Sequence, residues 1–138
     1  MTEPDSREPY IFVVDSHALV WQLENSPKLG KAAAKILSDP KSTLVVPTIV
    51  LAEARYLSEK RSLTITWEET WNFVRSDHRV TLFPLDGETV NELSLSLEMH
   101  DAIICATAVY WRDVLHLEPA VLTKDREIVE SGLVRTIW

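Results

Sequence analysis

The chain has 138 residues, 46% of them hydrophobic and 25% charged, the composition of one globular domain, which excludes disorder over most of its length. Its 14 basic and 21 acidic residues leave a net charge of −7, so most of the surface should repel nucleic acid unless metal ions reverse the sign locally. Three glycines, a single cysteine (Cys105) and no long apolar run exclude a Gly-rich phosphate loop, an internal disulfide, a cysteine metal cluster and a membrane span; a reducing, cytoplasmic setting is expected.

Residues 1–9 (MTEPDSREP) carry two prolines and several charges and read as a flexible leader, with 10–138 as one domain. Residues 10–14 (YIFVV) form an unbroken apolar run, the pattern of a strand buried on both faces, and Asp15 ends it. A short helix is predicted over 17–24. A second is predicted over 28–38, with Leu29, Ala32, Ala33, Ile36 and Leu37 at helical spacing. The strand 44–46 is closed by Pro47, and Thr48 stands ready to cap a helix over 49–60. Thr66 and Glu69 form a capping box ahead of a helix at 67–76. Residues 79–83 (RVTLF) are a third strand. Asp86 caps a helix over 87–97, and an apolar helix follows over 99–112. A buried strand at 121–123, a short helix at 126–130 and a last strand at 134–137 complete the chain. Strands alternating with helices predict an α/β fold, a three-layer α/β/α sandwich around a central, mostly parallel sheet.

In such a sheet ligands bind at the carboxyl ends of the strands. Asp15 directly follows the first strand, and Asp125 follows VLT with only Lys124 between, so both emerge along that edge. Each is equally the usual residue for a helix N-cap or turn. Glu53 interrupts the apolar stripe of Ile49, Tyr56 and Leu57, where an unpaired charge is costly, so it serves a site or pairs with Arg55 or Arg61. Asp101 shares a helix face with Ile104, Cys105 and Ala108, with the helix dipole as its ordinary explanation. Four converging acids would repel one another, and a divalent cation would remove that penalty. Hard oxygen donors without a His/Cys cluster select Mg²⁺ or Mn²⁺ over zinc.

The segments VVDSHALVWQL, VLAEARYL, HDAIICATA and VLTKDREI, in that order, resemble the PIN-domain family, most closely the VapC-type toxins of toxin–antitoxin pairs. The resemblance covers Tyr10 to Trp138. It implies that the acidic catalytic and metal site consists of Asp15, Glu53, Asp101 and Asp125, supported by hydroxyls at Ser16 and Thr123. Ser16 stands where threonine is more usual in the family, and Ala102 where many relatives carry arginine. The resemblance further implies an Mg²⁺-dependent endoribonuclease acting on cellular RNA, with Mn²⁺ able to substitute, a cognate antitoxin as partner, and a homodimer. Asp15, Asp101 and Asp125 are the expected direct ligands, and Glu53 binds through water or orients the nucleophilic water.

Other features have ordinary readings. His17 is expected to pack on the first helix turn, and His100 to face solvent or cap. Cys105 reads as a buried small apolar residue. Trp67 and Trp71 share a helix face that suits the core, or a dimer or antitoxin groove. Arg55, Lys60 and Arg61 suit a solvated face or RNA phosphates. A phospho-receiver would need a second acid beside Asp15, and a haloacid-dehalogenase-like phosphatase would need D-x-D where this chain has Asp15-Ser16-His17. Both fail. A PIN-fold binding module that no longer cuts, and a housekeeping PIN nuclease without an antitoxin, are the remaining rivals.

Overall fold

The computed structural model describes residues 10–60 and 63–138. The expected leader at 1–9 and Arg61 lie outside the described residues. Strand β1 (Ile11–Val14) is buried at every position, as its apolar run demands. Tyr10 is half exposed and stays outside the strand, although its carbonyl still accepts the Thr43 N–H at 2.9 Å. Helices α1 (Ser16–Leu23) and α2 (Lys31–Ser38) follow. The second starts three residues later than its periodicity predicts, because the Ser26 hydroxyl holds the Lys28 N–H in a turn and Gly30 becomes the N-cap.

Strand β2 (Thr43–Pro47) runs straight into α3 (Thr48–Lys60), so Thr48 is the first helical residue and Pro47 the last of the strand. The capping box before α4 (Trp67–Ser76) forms as expected: Thr66 accepts the Glu69 N–H at 3.1 Å, and Glu69 accepts the Thr66 N–H at 2.8 Å. Beyond β3 (Val80–Phe83), Asp86 caps α5. That helix covers only Gly87–Val90, against a prediction reaching 97. The Ser94 and Ser96 hydroxyls bond each other at 2.8 Å, and Leu95 is 95% exposed. Serines that satisfy local groups in turns compete with helix, and an outward leucine supplies no packing to oppose them. Helix α6 (Met99–Asp113), β4 (Pro119–Leu122), α7 (Arg126–Ser131) and β5 (Thr136–Ile137) complete the fold.

The sheet order is β3-β2-β1-β4-β5 and every pairing is parallel, so the expected parallel sheet flanked by helices is what forms. The chain steps outward from β1 in one direction to β2 and β3, then crosses to β4 and β5 on the other side. The connections through α1–α2 and α3–α4 step one way across the sheet, those through α5–α6 and α7 step the other way, and α3 comes into contact with α6. The order reverses between β1 and β4, and the crevice of such a sheet opens there, beyond the strands' carboxyl ends. Val13, Val45, Val50, Ala120, Val121, Leu122 and Ile128 form the solvent-free centre of the core. Among the described residues, no helix is long and apolar enough to cross a membrane.

Trp138, just past β5, lies against Gly30, where an added Cβ would come within 2.6 Å of the indole and closer still to the Trp138 backbone. Gly30→Ala should therefore cost about 1–3 kcal/mol by overpacking, read from urea unfolding curves. An unchanged midpoint would show that Trp138 yields freely.

Candidate active site

Asp15 is set by two constraints. Its backbone N–H donates to the Leu122 carbonyl at 3.2 Å, extending the β1–β4 ladder by one residue, and its side chain caps α1 through the Ser16 N–H at 2.7 Å. Asp125 likewise caps α7, its Oδ1 accepting the N–H groups of Glu127 at 2.9 Å and Ile128 at 3.2 Å. The N-cap role and the strand-end position therefore coincide at both aspartates.

Two buried hydroxyls tie the cluster together. Thr123 Oγ1 accepts the Asp125 N–H at 3.0 Å, so its own proton turns to Asp15 Oδ2 at 2.5 Å. Ser16 Oγ lies 2.9 Å from Glu53 Oε1 and 3.3 Å from Asp15 Oδ1, linking the acid of α3 to that of β1. Glu53 Oε2 is 3.5 Å from His100 Nδ1. Arg55 is turned away from Glu53 and pairs with Glu59 at 3.3 Å. His100, expected to face solvent or cap, keeps its side chain 44% exposed and also reaches the acid cluster through Glu53. Its position next to Asp101 was the only signal of this. His17 packs on Trp21 as expected, with ring centroids 5.0 Å apart.

Asp15, Glu53, Asp101 and Asp125 line one cavity of about 260 Å³, together with Ser16, His17, Ile104, Lys124 and Trp138. The structure thus brings all four predicted acids together, from four separate elements, at the switch point of the sheet. Lys124 and Trp138 are additions. The first was legible as the neighbour of Asp125; the second arrives only because β5 pairs with β4. An adjoining apolar groove of about 410 Å³ runs past Glu53 and His100 to Ile49, Tyr56 and Leu57.

Asp101 accepts no hydrogen bond from any described residue. Burial first, then the charges of Asp125, Glu98, Asp15 and Glu127, raises its pKa from the ordinary 3.8 to about 6. Burial first, then the charges of Asp101, Asp125 and Asp15, push the Cys105 thiol up to about 12, so it stays an inert core group.

In their present orientations, no three His, Cys, Asp or Glu side chains among the described residues are grouped closely enough to grip an ion. Hydroxyl and backbone donors hold Asp15 and Asp125, and Ser16 with His100 holds Glu53. The donor set nonetheless suits a hard divalent cation: carboxylate oxygens on one cavity, one of them charged only at a cost that positive charge would relieve.

Compared with known proteins, the chain matches the PIN domain over residues 12–131. It belongs to the PIN-domain family. No curated protein matches its sequence. Thirteen chains of solved structures match it, among them one from the crystal structure of VapBC2 from Rickettsia felis bound to a DNA fragment from their promoter. That chain superposes with a TM-score of 0.65 over 93% of this chain and 98% of its own, at 16% identity, a likeness of fold. The expected resemblance to the PIN-domain family holds, and the expected fold with it. PIN domains are nucleases, and divalent metals are their general cofactors.

The pKa of Asp101 carries a stability consequence. It binds its proton more tightly folded than unfolded, so native stability without divalent cations should fall as pH rises from about 4 to about 6. Asp101→Asn escapes that fall. In EDTA at pH 7.5 it should exceed the parent by about 1–2 kcal/mol after allowance for solvent screening, the gap closing toward pH 4. Urea melts across that range decide it, and equal stability at pH 7.5 would mean that Asp101 is not crowded by its neighbours.

Proposed function

We propose that this PIN domain is a divalent-cation-dependent endoribonuclease of the cytoplasm, the toxin of a toxin–antitoxin pair, acting on cellular RNA. The observation that carries the reading is the opening of Asp15, Glu53, Asp101 and Asp125 onto one cavity at the sheet's switch point. Asp15, Asp101 and Asp125 would hold Mg²⁺ or Mn²⁺ directly. Glu53 would hold it through water or orient the attacking water. A bound cation supplies a lowered water pKa and neutralises charge on the phosphate oxygens.

The chain's own residues supply the rest. Thr123 and Ser16 fix the carboxylates of Asp15 and Glu53 by donating to them, so those oxygens need little reorganisation at the moment of reaction. The acids keep the site anionic enough to take up a proton from water. Attack in line forms a P–O bond from water and breaks the bond to the 3′ oxygen, leaving a 5′-phosphate and a 3′-hydroxyl. Because a water activated by the cation would be the nucleophile, the 2′-OH would not be needed in that role.

The similar Rickettsia felis chain was solved within VapBC2, which supports a cognate antitoxin as partner. A net charge of −7 and the apolar groove beside Glu53 suit a segment that brings arginine or lysine to the carboxylates. We assign a homodimer by the same family likeness.

Cleavage of an RNA oligonucleotide should require Mg²⁺ or Mn²⁺ and fall about 100-fold or more in Asp15→Asn and Asp125→Asn. Products should carry 5′-phosphates. Cyclic phosphate ends, or cleavage that persists in EDTA, would sink the mechanism. Calorimetry should show Mn²⁺ binding that Asp101→Asn weakens by about 10–100-fold. Co-expression with the neighbouring small gene should rescue growth and yield a tight complex. Toxicity indifferent to that neighbour would favour a free-standing nuclease.

A further inference from the structure

One wall of the acidic cavity differs in chemistry from the rest. Among the residues lining it, Lys124 is the one lysine or arginine. Lys124 shares this lining with four acids, yet its ammonium forms no ion pair with any described residue; it lies 4.8 Å from the centroid of the Trp21 ring. Lys28 approaches the same ring at 5.8 Å and is also without an ion pair among the described residues. Around Trp21 the rings continue: His17 is 5.0 Å away, tilted by 45°, and Trp138 is 5.9 Å away, edge-on. His17 is exposed, Trp21 and Trp138 are half-buried, and both His17 and Trp138 line the cavity.

We propose that this rim, His17, Trp21 and Trp138 with Lys28 and Lys124, is a subsite for the RNA nucleotide next to the scissile phosphate. The base stacks on the aromatic rings, and its phosphate pairs with the lysines. The proposal rests on the reading of the chain as a ribonuclease and adds where the strand is gripped. Three physical points support it. A chain of net charge −7 must concentrate positive charge wherever phosphate approaches, and Lys124 on the cavity wall with Lys28 over the same Trp21 ring, neither in an ion pair among the described residues, do so. Aromatic faces hold single-stranded bases with little regard to sequence, because every base has a π-face. Holding the lysines over an indole keeps them off the carboxylates, leaving the acids for a cation and the ammonium groups for phosphate. The same charges disfavour a basic inhibitor segment at this rim, which distinguishes it from the groove beside Glu53.

The test uses the full chain and a short fluorescently labelled RNA oligonucleotide. Steady-state cleavage is measured with Mg²⁺, and binding by anisotropy with Ca²⁺ in its place. Lys124→Glu and Lys28→Glu, both at exposed positions, should each raise KM and Kd about tenfold while kcat changes less than threefold. Trp21→Ala should do the same, and Trp21→Phe should recover most of the loss; since Trp21→Ala could unfold, thermal melts accompany it and the lysine variants carry the conclusion. Wild-type cleavage with KM and Kd unchanged in both lysine variants overturns the subsite and leaves the nuclease standing. Loss of binding to a partner protein with RNA affinity intact overturns it in favour of a protein surface. A wild-type chain that neither binds nor cuts RNA overturns both readings.

Discussion

Gathering four carboxylates on one small cavity is the constraint around which this molecule is organised. Like charges at such range repel, and burial removes the water that would screen them. The fold meets that cost with fixed donors. The Ser16 and Thr123 hydroxyls bridge Asp15 to Glu53 and to the Asp125 backbone, and two helix N-termini supply further N–H groups. Asp101 is left without such a donor, and it is the acid whose proton affinity rises. Burial and the neighbouring negative charges both penalise its carboxylate, which makes the site receptive to positive charge from a metal ion or a basic side chain.

The sheet makes this gathering possible. Because the strand order reverses between β1 and β4, the chain leaves the two central strands side by side and starts a helix from each exit. An aspartate at either exit is at once a cap, which the helix needs, and a ligand candidate, which the crevice needs. Structural and chemical explanations of Asp15 and Asp125 are therefore not alternatives. Glu53 and Asp101 differ: helices α3 and α6 pack beside each other and project these acids from apolar faces.

Positive charge is placed as deliberately. Lys124 follows Thr123 and precedes Asp125, so its backbone is fixed by the same loop that holds the acids, yet its ammonium rests on Trp21. Separating cation from anion within one cavity costs Coulomb energy that the cation–π contact partly offsets. The arrangement suits a polyanionic strand whose phosphate must meet carboxylates only through a metal ion.

Local signals settled much of the molecule. The apolar runs at Ile11–Val14 and around Val121, the Thr66–Glu69 box and the Asp86 cap are all readable from residues within a few positions of one another, and alternating elements already imply the parallel sheet. Acids on apolar helix faces pointed to the candidate site because an unpaired charge there is expensive in any fold. Other features depended on contacts that no local window contains. Helix α5 stops at Val90 because Leu95 finds nothing to pack against. His100 meets Glu53 only through the packing of α3 against α6. Trp138 reaches the cavity because β5 pairs beside β4, where Gly30 leaves room for the indole. Sequence by itself determined which segments are strands and helices and which acids are anomalous, since periodicity and the cost of burying charge are local properties. Tertiary structure alone decided which of those acids meet, what holds each one, and which cations and rings share their cavity, because those depend on strand order and packing between distant elements.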